Sequence, residues 1–255
     1  MRAYCLASSS SGNCYVLEFD INGVPTRIMV ECGIPIKTIY QSLAQNNIDI
    51  TTISACLITH AHGDHCKAAK DLERICIPIF ATKETLTKID VLGEELVDLQ
   101  PKRVCKGLFA MPFQVEHDIE GACGFIIKTK TECVLFVNDH KRWTADLRDF
   151  KPNYVFIECN YDHKVVYAQL NELRKLPNPT VEEQQKMRQH ERNLNSHCSL
   201  NGTLKGLRKL NLKNCSTIFL MHLSDRYANE YRMKIEVQKE TGILTYACKK
   251  GGGIK

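Results

Sequence analysis

The sequence predicts an α/β fold, and three features lead to this prediction. Short apolar segments with the character of strands alternate with segments of helical periodicity. Clusters rich in His and acidic residues stand directly after several of the apolar segments. The chain has 255 residues, 44% hydrophobic and 25% charged, which is enough for one well-buried core and predicts a single domain over residues 1–255.

The first part of the chain is predicted to consist mainly of strands and turns. Three strands are expected at residues 1–6, 14–19 and 26–31. Residues 8–13 are expected to form a polar loop, and Asn22-Gly23 is typical of a β-hairpin turn. A helix is expected over residues 36–43. The dense apolar run at residues 53–58 then predicts a strand buried on both faces.

The rest of the chain continues this alternation. Further strands are predicted at residues 78–81, 125–128, 133–137, 154–158, 216–221 and 243–248, and helices at residues 67–74, 204–210 and 227–239. Residues 164–194 are polar and helix-prone, with a capping box at Thr180 and Glu183. We expect the helical segment at about 164–210 to be divergent, and the loop around residues 175–195 within it to border the substrate. The glycine run at residues 251–253 predicts a frayed tail.

Charge and cysteine content narrow the class of protein. The 34 Lys+Arg and 29 Asp+Glu give a net charge of +5, which is compatible with a polyanionic substrate but lacks the basic stripe of a dedicated nucleic-acid binder. The thirteen cysteines are scattered without a Cys-x-x-Cys pair, and the N-terminus does not resemble a signal peptide. We therefore expect reduced, mostly buried thiols in a cytoplasmic protein without a membrane span.

One dense cluster of metal-ligand residue types follows the buried strand predicted at residues 53–58. His60, His62, Asp64 and His65 place four imidazole or carboxylate groups within six residues, and these groups suit Zn²⁺, Mn²⁺ and Fe. On an extended segment the first two histidines point the same way and share one ion, while a turn redirects the other two ligands to a second ion. A lone pair of histidines is usually structural, whereas this density predicts a metal site.

Three further residues raise the ligand count above the four that a closed structural zinc site needs. Asp139 and His222 follow apolar strands, and His117 follows an apolar stretch, although each of the three is ambiguous when taken alone. With the cluster they make a set of seven, a number that suits two ions.

The run His60-Ala61-His62-Gly63-Asp64-His65 resembles the H-x-H-x-D-H signature of the metallo-β-lactamase superfamily. The other elements, from Glu31-Cys32-Gly33 to His222, occur in the order of that superfamily. Stretches similar to the YycJ/WalJ-like branch are residues 6–13, 158–162, 196–200 and 222–224. The resemblance leaves open whether the chain is phage-encoded. The resemblance covers essentially the whole chain and implies a four-layer αββα sandwich with the site at the sheet edges.

The resemblance also implies roles for individual residues. Ligands of the first ion would be His60, His62 and His117, ligands of the second would be Asp64, His65 and His222, and Asp139 would bridge them. A water activated by both ions is the implied nucleophile, with Asp64 orienting it. His197 is either an exposed loop histidine or the group that protonates the leaving oxygen or binds phosphate. Glu158 and Asp162 either hydrogen-bond the ligand histidines or cap loops.

Three positions depart from the pattern of the superfamily. Glu31 stands where Asp is usual, His140 follows Asp139 where small residues are usual, and Tyr161 stands where the branch often has His. The longer arm of Glu31 is expected to shift the geometry of its loop.

The leading interpretation is a phosphodiesterase that uses two divalent ions, Zn²⁺ or Mn²⁺, and acts on nucleic acid like a DNA exonuclease. The main alternative is a cyclic-nucleotide phosphodiesterase that degrades defence signals, which predicts a small enclosed pocket completed by the second subunit of a homodimer. A thioester or lactone hydrolase of glyoxalase type and a metal-stabilised binding module without turnover also remain open. The length leaves no room for the extra domain of β-CASP nucleases, and no Gly/Pro-rich arm for gripping tRNA is evident.

Overall fold

The computed structural model describes residues 1–249 and 253–254, whose strands form two sheets. The first sheet consists of β1 (Arg2–Ser9), β2 (Gly12–Ile21), β3 (Val24–Cys32), β4 (Ile53–Leu57), β5 (Ile79–Ala81), β6 (Glu94–Glu95) and β15 (Gly253–Ile254). The second sheet consists of β7 (Lys102–Cys105), β8 (Leu108–Glu116), β9 (Cys123–Lys128), β10 (Cys133–Val137), β11 (Arg142–Trp143), β12 (Tyr154–Glu158), β13 (Thr217–Met221) and β14 (Leu244–Ala247).

Each sheet has an antiparallel part and a parallel part. In the first sheet the order is β15-β1-β2-β3-β4-β5-β6, and the pairing becomes parallel from β3 onwards. In the second sheet the order is β11-β8-β9-β10-β12-β13-β14, with β7 beside β8, and the pairing becomes parallel from β10 onwards. Parallel strands end at one edge of a sheet, so loops that follow them lie close together.

Helices cover the outer faces of the two sheets. They are α1 (Ile36–Gln45), α2 (Gly63–Cys66), α3 (Ala69–Arg74), α4 (Lys83–Ile89), α5 (His163–Arg174), α6 (Val181–Ser196), α7 (Leu200–Arg208) and α8 (Glu230–Thr241). Ile39 and Leu43 of α1 lie one turn apart and pack on the first sheet, together with Leu72 of α3. Leu207 of α7 and Met233 of α8 pack on the second sheet. The layers are therefore helix, sheet, sheet and helix.

The largest core lies between the two sheets. It contains buried aromatic side chains from both of them, among which Tyr15 of β2 meets Phe136 of β10 with ring centroids 5.4 Å apart. Phe136 stacks on Phe156, which in turn stacks on Phe219, so one row of rings runs across three neighbouring strands. This aromatic row holds the parallel strands of the second sheet in register.

Most of the predicted elements are present, and the differences have local causes. The expected loop at residues 8–13 is mainly strand, because Ser8 pairs with Asn13 and Ser9 with Gly12 on the β1–β2 ladder. The helix-prone stretch at residues 164–194 contains two helices, and the capping box starts the second one: the Thr180 amide donates to Glu183 Oε2 at 2.7 Å.

The C-terminal residues and the cysteines complete the description. Residues 251 and 252 of the predicted frayed tail lie outside the described residues, whereas Gly253 pairs with Tyr4 of β1. All thirteen cysteines are free thiols, and most are buried. Within residues 1–249 and 253–254, no helix combines the length and apolar character that crossing a membrane requires.

Candidate metal centre

The seven predicted ligands come together at one edge of the sandwich. After β4 the chain runs through His60 and His62 until α2 begins at Gly63, which places Asp64 and His65 in the first turn of that helix. The other three ligands come from the second sheet: His117 directly follows β8, Asp139 lies just after β10, and His222 directly follows β13. The centre is therefore built by loops of both sheets.

The first ligand group consists of His60, His62 and His117, which converge through their ring nitrogens. His60 Nε2 lies 3.1 Å from His62 Nδ1, which lies 3.3 Å from His117 Nε2. His117 Nδ1 is 2.8 Å from the carbonyl oxygen of Ser196, so this nitrogen donates its proton there and Nε2 keeps a lone pair towards the group. Three such nitrogens around one point suit a single cation.

The second ligand group consists of Asp64, His65, Asp139 and His222. His65 Nε2 lies 3.4 Å from Asp64 Oδ2 and 3.3 Å from Asp139 Oδ2. His222 Nε2 lies 3.7 Å from an oxygen of each of the same carboxylates, Asp64 Oδ2 and Asp139 Oδ1. Among the described residues, the buried atoms His222 Nε2 and Asp139 Oδ1 have no hydrogen-bond partner. Buried polar atoms are rarely left unpaired, so this donor set fits a divalent cation.

Asp139 connects the two groups. Its Oδ2 is 3.3 Å from His65 Nε2 in the second group and 4.0 Å from His117 Nε2 in the first. Its side chain is almost fully buried. This is the position that a bridging carboxylate needs.

Burial and neighbouring charges shift the pKa of several of these groups. Burial lowers the pKa of His60 well below its ordinary value, so its imidazole is neutral. Burial alone would raise the pKa of Asp139, but the charges of His222 and His65 outweigh it and hold the carboxylate ionised. Burial opposes the shift at Asp64 too, where the nearby rings of His222 and His65 lower the pKa.

Glu31 supports the second ligand group from β3. Its buried carboxylate lies 3.3 Å from His65 Nδ1 and accepts hydrogen bonds from the amide and the hydroxyl of Thr59. A carboxylate at Nδ1 directs the other ring nitrogen of a ligand histidine towards the ion. Glu31 therefore fills the supporting position in which the superfamily usually has Asp.

Ser8 and Asn13 also support the centre, and neither of them is a predicted site residue. The His222 amide donates to Ser8 Oγ at 2.9 Å, and Asn13 Nδ2 lies 3.2 Å from His65 Nε2. The signals in the sequence are the polar run at residues 8–13, which predicts a loop, and the similarity of residues 6–13 to the YycJ/WalJ-like branch. Its functional contacts reach residues far along the chain, so local patterning does not reveal them.

The backbone is strained at three positions of the centre. Glu31, Asp139 and His222 have φ angles of 62°, 38° and 54°, in the left-handed region that non-glycine residues rarely adopt. Strain of this kind persists where the surrounding structure fixes a functional geometry.

His197 faces the second ligand group and is largely shielded from solvent. Its Nδ1 lies 2.7 Å from Glu158 Oε1, and its ring is parallel to that of His222 with centroids 5.1 Å apart. Burial opposes protonation, but the charge and hydrogen bond of Glu158 outweigh it and raise the pKa of His197 to about 9. His197 is therefore cationic in this arrangement, and its side chain is only 14% exposed.

Glu158 and Asp162, the other two predicted polar residues, make further hydrogen bonds and ion pairs. Glu158 also accepts from the His140 amide at 2.8 Å, and burial lowers the pKa of His140 to about 4, so that ring is neutral. Asp162 caps α5 through the Lys164 amide at 3.0 Å and pairs with Arg232.

A cavity of about 290 Å³ opens beside the second ligand group. His197 and His222 form part of its wall, together with Gln189 of α6 and the exposed side chain of Arg226. The loop expected to border the substrate, around residues 175–195, thus contributes Gln189 to this wall.

Comparison with known protein families gives a match for part of the chain. Residues 9–80, which include the whole cluster from His60 to His65, match the family described as the metallo-beta-lactamase superfamily. The chain thus matches the metallo-β-lactamase superfamily over these residues. The predicted αββα fold and the predicted class, a metal-dependent hydrolase, are both borne out.

Similar proteins within this superfamily include a nuclease. Over 123 residues the chain is 28% identical to the exodeoxyribonuclease WalJ of Streptococcus pneumoniae, a match that covers 44% of this chain and 44% of the relative. The chain thus matches less than half the length of its curated relative.

Two solved structures resemble most of the chain. Zn²⁺-bound PqqB from Methylobacterium extorquens is similar with a TM-score of 0.67 and 14% identity, covering 99% of each chain. The short form of human tRNase Z is similar with a TM-score of 0.55 and 16% identity, covering 89% of this chain and 94% of the other. At these identities the likeness concerns the fold.

Proposed function

We propose that this protein is a phosphodiesterase that uses two divalent metal ions and acts on nucleic acid. The observation that carries the proposal is the pair of ligand groups joined by Asp139, because a closed structural zinc site uses only four ligands. The first ligand group would hold one ion and the second ligand group the other, and Asp139 would contribute to both. Zn²⁺ is the preferred ion, since imidazole and carboxylate ligands suit it and PqqB of the same fold binds it.

Bound ions would act as Lewis acids that neutralise charge on the phosphoryl group and lower the pKa of an attacking water. Asp64 holds a carboxylate towards this position and orients the water by accepting its proton in a hydrogen bond. His197 donates its Nδ1 proton to Glu158, and because its ring is cationic it carries a second proton on Nε2. That proton is available to a phosphoryl oxygen or to the leaving oxygen.

The cavity beside the centre suits a substrate with phosphate and polar groups. Arg226 adds a guanidinium, which pairs well with phosphate, and Gln189 and Ser10 add neutral hydrogen-bonding groups. The partial similarity to an exodeoxyribonuclease supports nucleic acid, and DNA in particular, as the substrate.

The size of the cavity favours a second candidate substrate, a cyclic nucleotide. About 290 Å³ lies at the lower end of ordinary ligand pockets and suits a single nucleotide better than a duplex. A cyclic-nucleotide phosphodiesterase that degrades defence signals would use the same two ions. For this candidate, the homodimer and the cytoplasmic location expected from the sequence remain proposals.

A substrate panel tests the proposal and separates its two forms. The panel contains linear duplex DNA, single-stranded DNA, RNA and 3′,5′-cyclic nucleotides, with bis-p-nitrophenyl phosphate as a generic phosphodiester. We expect turnover in Zn²⁺ or Mn²⁺ by the wild type and a loss of at least about 100-fold in His62→Ala, because this variant removes a ligand of the first ion. His163→Ala, which removes a histidine outside both ligand groups, is the matched control and should retain activity.

Each result in the panel has a defined meaning. Cleavage of DNA supports the nuclease, and cleavage of cyclic nucleotides alone supports the second candidate. No turnover of any phosphodiester with either metal contradicts both and favours a thioester or lactone hydrolase, or a binding module without turnover.

A further inference from the structure

Asp118 lies between the first ligand group and helix α6. It directly follows His117, and its Oδ1 lies 3.2 Å from His117 Nε2 and 3.5 Å from His62 Nε2. Its other oxygen, Oδ2, lies 3.3 Å from both Nε and Nη2 of Arg192 on α6. One carboxylate thus contacts two ligand histidines on one side and a guanidinium on the other.

The orientation of His62 explains what this carboxylate does. His62 Nδ1 faces the ring nitrogens of His60 and His117, so Nδ1 is the atom that points into the ligand group. The proton of a neutral ring then resides on Nε2, and Asp118 is the carboxylate beside that atom. A carboxylate at the outer nitrogen fixes the tautomer of a ligand histidine and makes its inner nitrogen more basic.

Asp118 supports the group rather than belonging to it. Only the nitrogens of His60, His62 and His117 converge closely enough to share an ion, and the Asp118 carboxylate is not part of that set. Its position is therefore that of an outer partner, like the position of Glu31 at His65.

Helix α6 contacts the first ligand group by two routes. The Ser196 carbonyl, in the last turn of α6, accepts the Nδ1 proton of His117 at 2.8 Å. One turn earlier, Arg192 holds Asp118, which in turn faces His62. Helix α6 is polar and buries few of its side chains, so it contributes little to the hydrophobic core. Its specific contacts are therefore those with the first ligand group and Asp118.

We propose that Asp118 is a positioning residue for the first metal ion and that Arg192 clamps it, so that docking of α6 sets the affinity of that ion. The inference rests on the metal centre of the proposed function and not on its substrate. An exposed ion pair contributes little to folding, so its effect is expected in metal binding and not in stability.

Metal titration of four variants tests this inference without any substrate. Zn²⁺ binding is measured by calorimetry, and Co²⁺ binding by its visible absorption, for Asp118→Asn, Arg192→Gln and the double variant. We expect Asp118→Asn to weaken one of the two ions about 10- to 100-fold, Arg192→Gln to weaken the same ion less, and the double variant to match Asp118→Asn. Asp118→Glu, which restores the charge, should recover part of the affinity.

Two matched controls make the result specific. Glu116→Gln removes another carboxylate next to His117, and Arg188→Gln removes another charge from α6 one turn before Arg192, so both should bind two ions like the wild type. Unchanged affinities in Asp118→Asn overturn the positioning role. An Arg192→Gln variant that equals Arg188→Gln overturns the clamp.

These outcomes are independent of the proposed reaction. Weaker binding of one ion in Asp118→Asn, together with an inactive wild type, would support the positioning role while contradicting the phosphodiesterase. Arg192 is exposed, so its variant is expected to fold and to give a readout even if Asp118→Asn does not.

Discussion

Glu31 and Asp118 perform the same task at two different ligand histidines. Glu31 lies 3.3 Å from His65 Nδ1, and Asp118 lies 3.5 Å from His62 Nε2. In each case a carboxylate stands at the ring nitrogen that faces away from the ligand group. The difference is burial, since Glu31 is fully buried whereas Asp118 is partly exposed and needs Arg192 as a partner.

This comparison predicts the effect of changing Glu31 to Gln. The amide keeps the size of the side chain but loses the charge that pairs with His65 Nδ1, so affinity for one ion should fall about 10- to 100-fold. Zn²⁺ titration measures the change, with Glu182→Gln on the exposed face of α6 as the control. The role given to Glu31 is contradicted if the Glu31→Gln variant is folded, as judged by circular dichroism, and binds both ions as tightly as the wild type.

At the scale of elements, the close approach of β3 and α2 fixes the second ligand group. A Cβ atom at Gly33 would lie 1.6 Å from the Asp64 carbonyl oxygen and 2.6 Å from the His65 amide nitrogen, so only glycine fits there. By contrast, a Cβ atom at Gly63 would meet no atom within 4 Å. Gly33 directly follows β3 and Gly63 begins α2, so the two glycines make a matched pair.

The pair predicts opposite outcomes for two alanine substitutions. Gly33→Ala forces β3 and α2 apart and should reduce the free energy of unfolding by about 1–3 kcal/mol or more. Gly63→Ala should change it by less than about 0.5 kcal/mol, since nothing is displaced. Urea unfolding followed by circular dichroism measures both values. Equal stability of the two variants would show that the contact is not as close as described.

Elements and ligands differ in how far the sequence predicts them. The strand at residues 154–158 and the cluster from His60 to His65 were predictable, because apolar density and ligand spacing are local signals. The hydrogen bond from the His222 amide to Ser8 was not, because it joins residues 214 positions apart. The two contacts from α6 to the ligand histidines were missed for the same reason, since α6 is polar and showed only its helical tendency.

At the scale of the molecule, the centre joins the two sheets. His60, His62, Asp64 and His65 follow a strand of the first sheet, while His117, Asp139 and His222 come from loops of the second. Each ligand group contains residues from both sheets, so each ion would link the two halves of the sandwich. We propose on this basis that residues 1–255 form one domain in which metal binding and docking of the sheets are coupled.

The metal content of the purified protein tests the central claim most directly. After reconstitution with Zn²⁺ and dialysis, elemental analysis should find two ions per wild-type chain, because the ligands form two groups. His62→Ala should lose the first ion and His222→Ala the second, so each variant should retain about one. A wild-type chain that retains one ion or none, under conditions in which it is folded, would contradict the two-metal centre on which the proposed function rests.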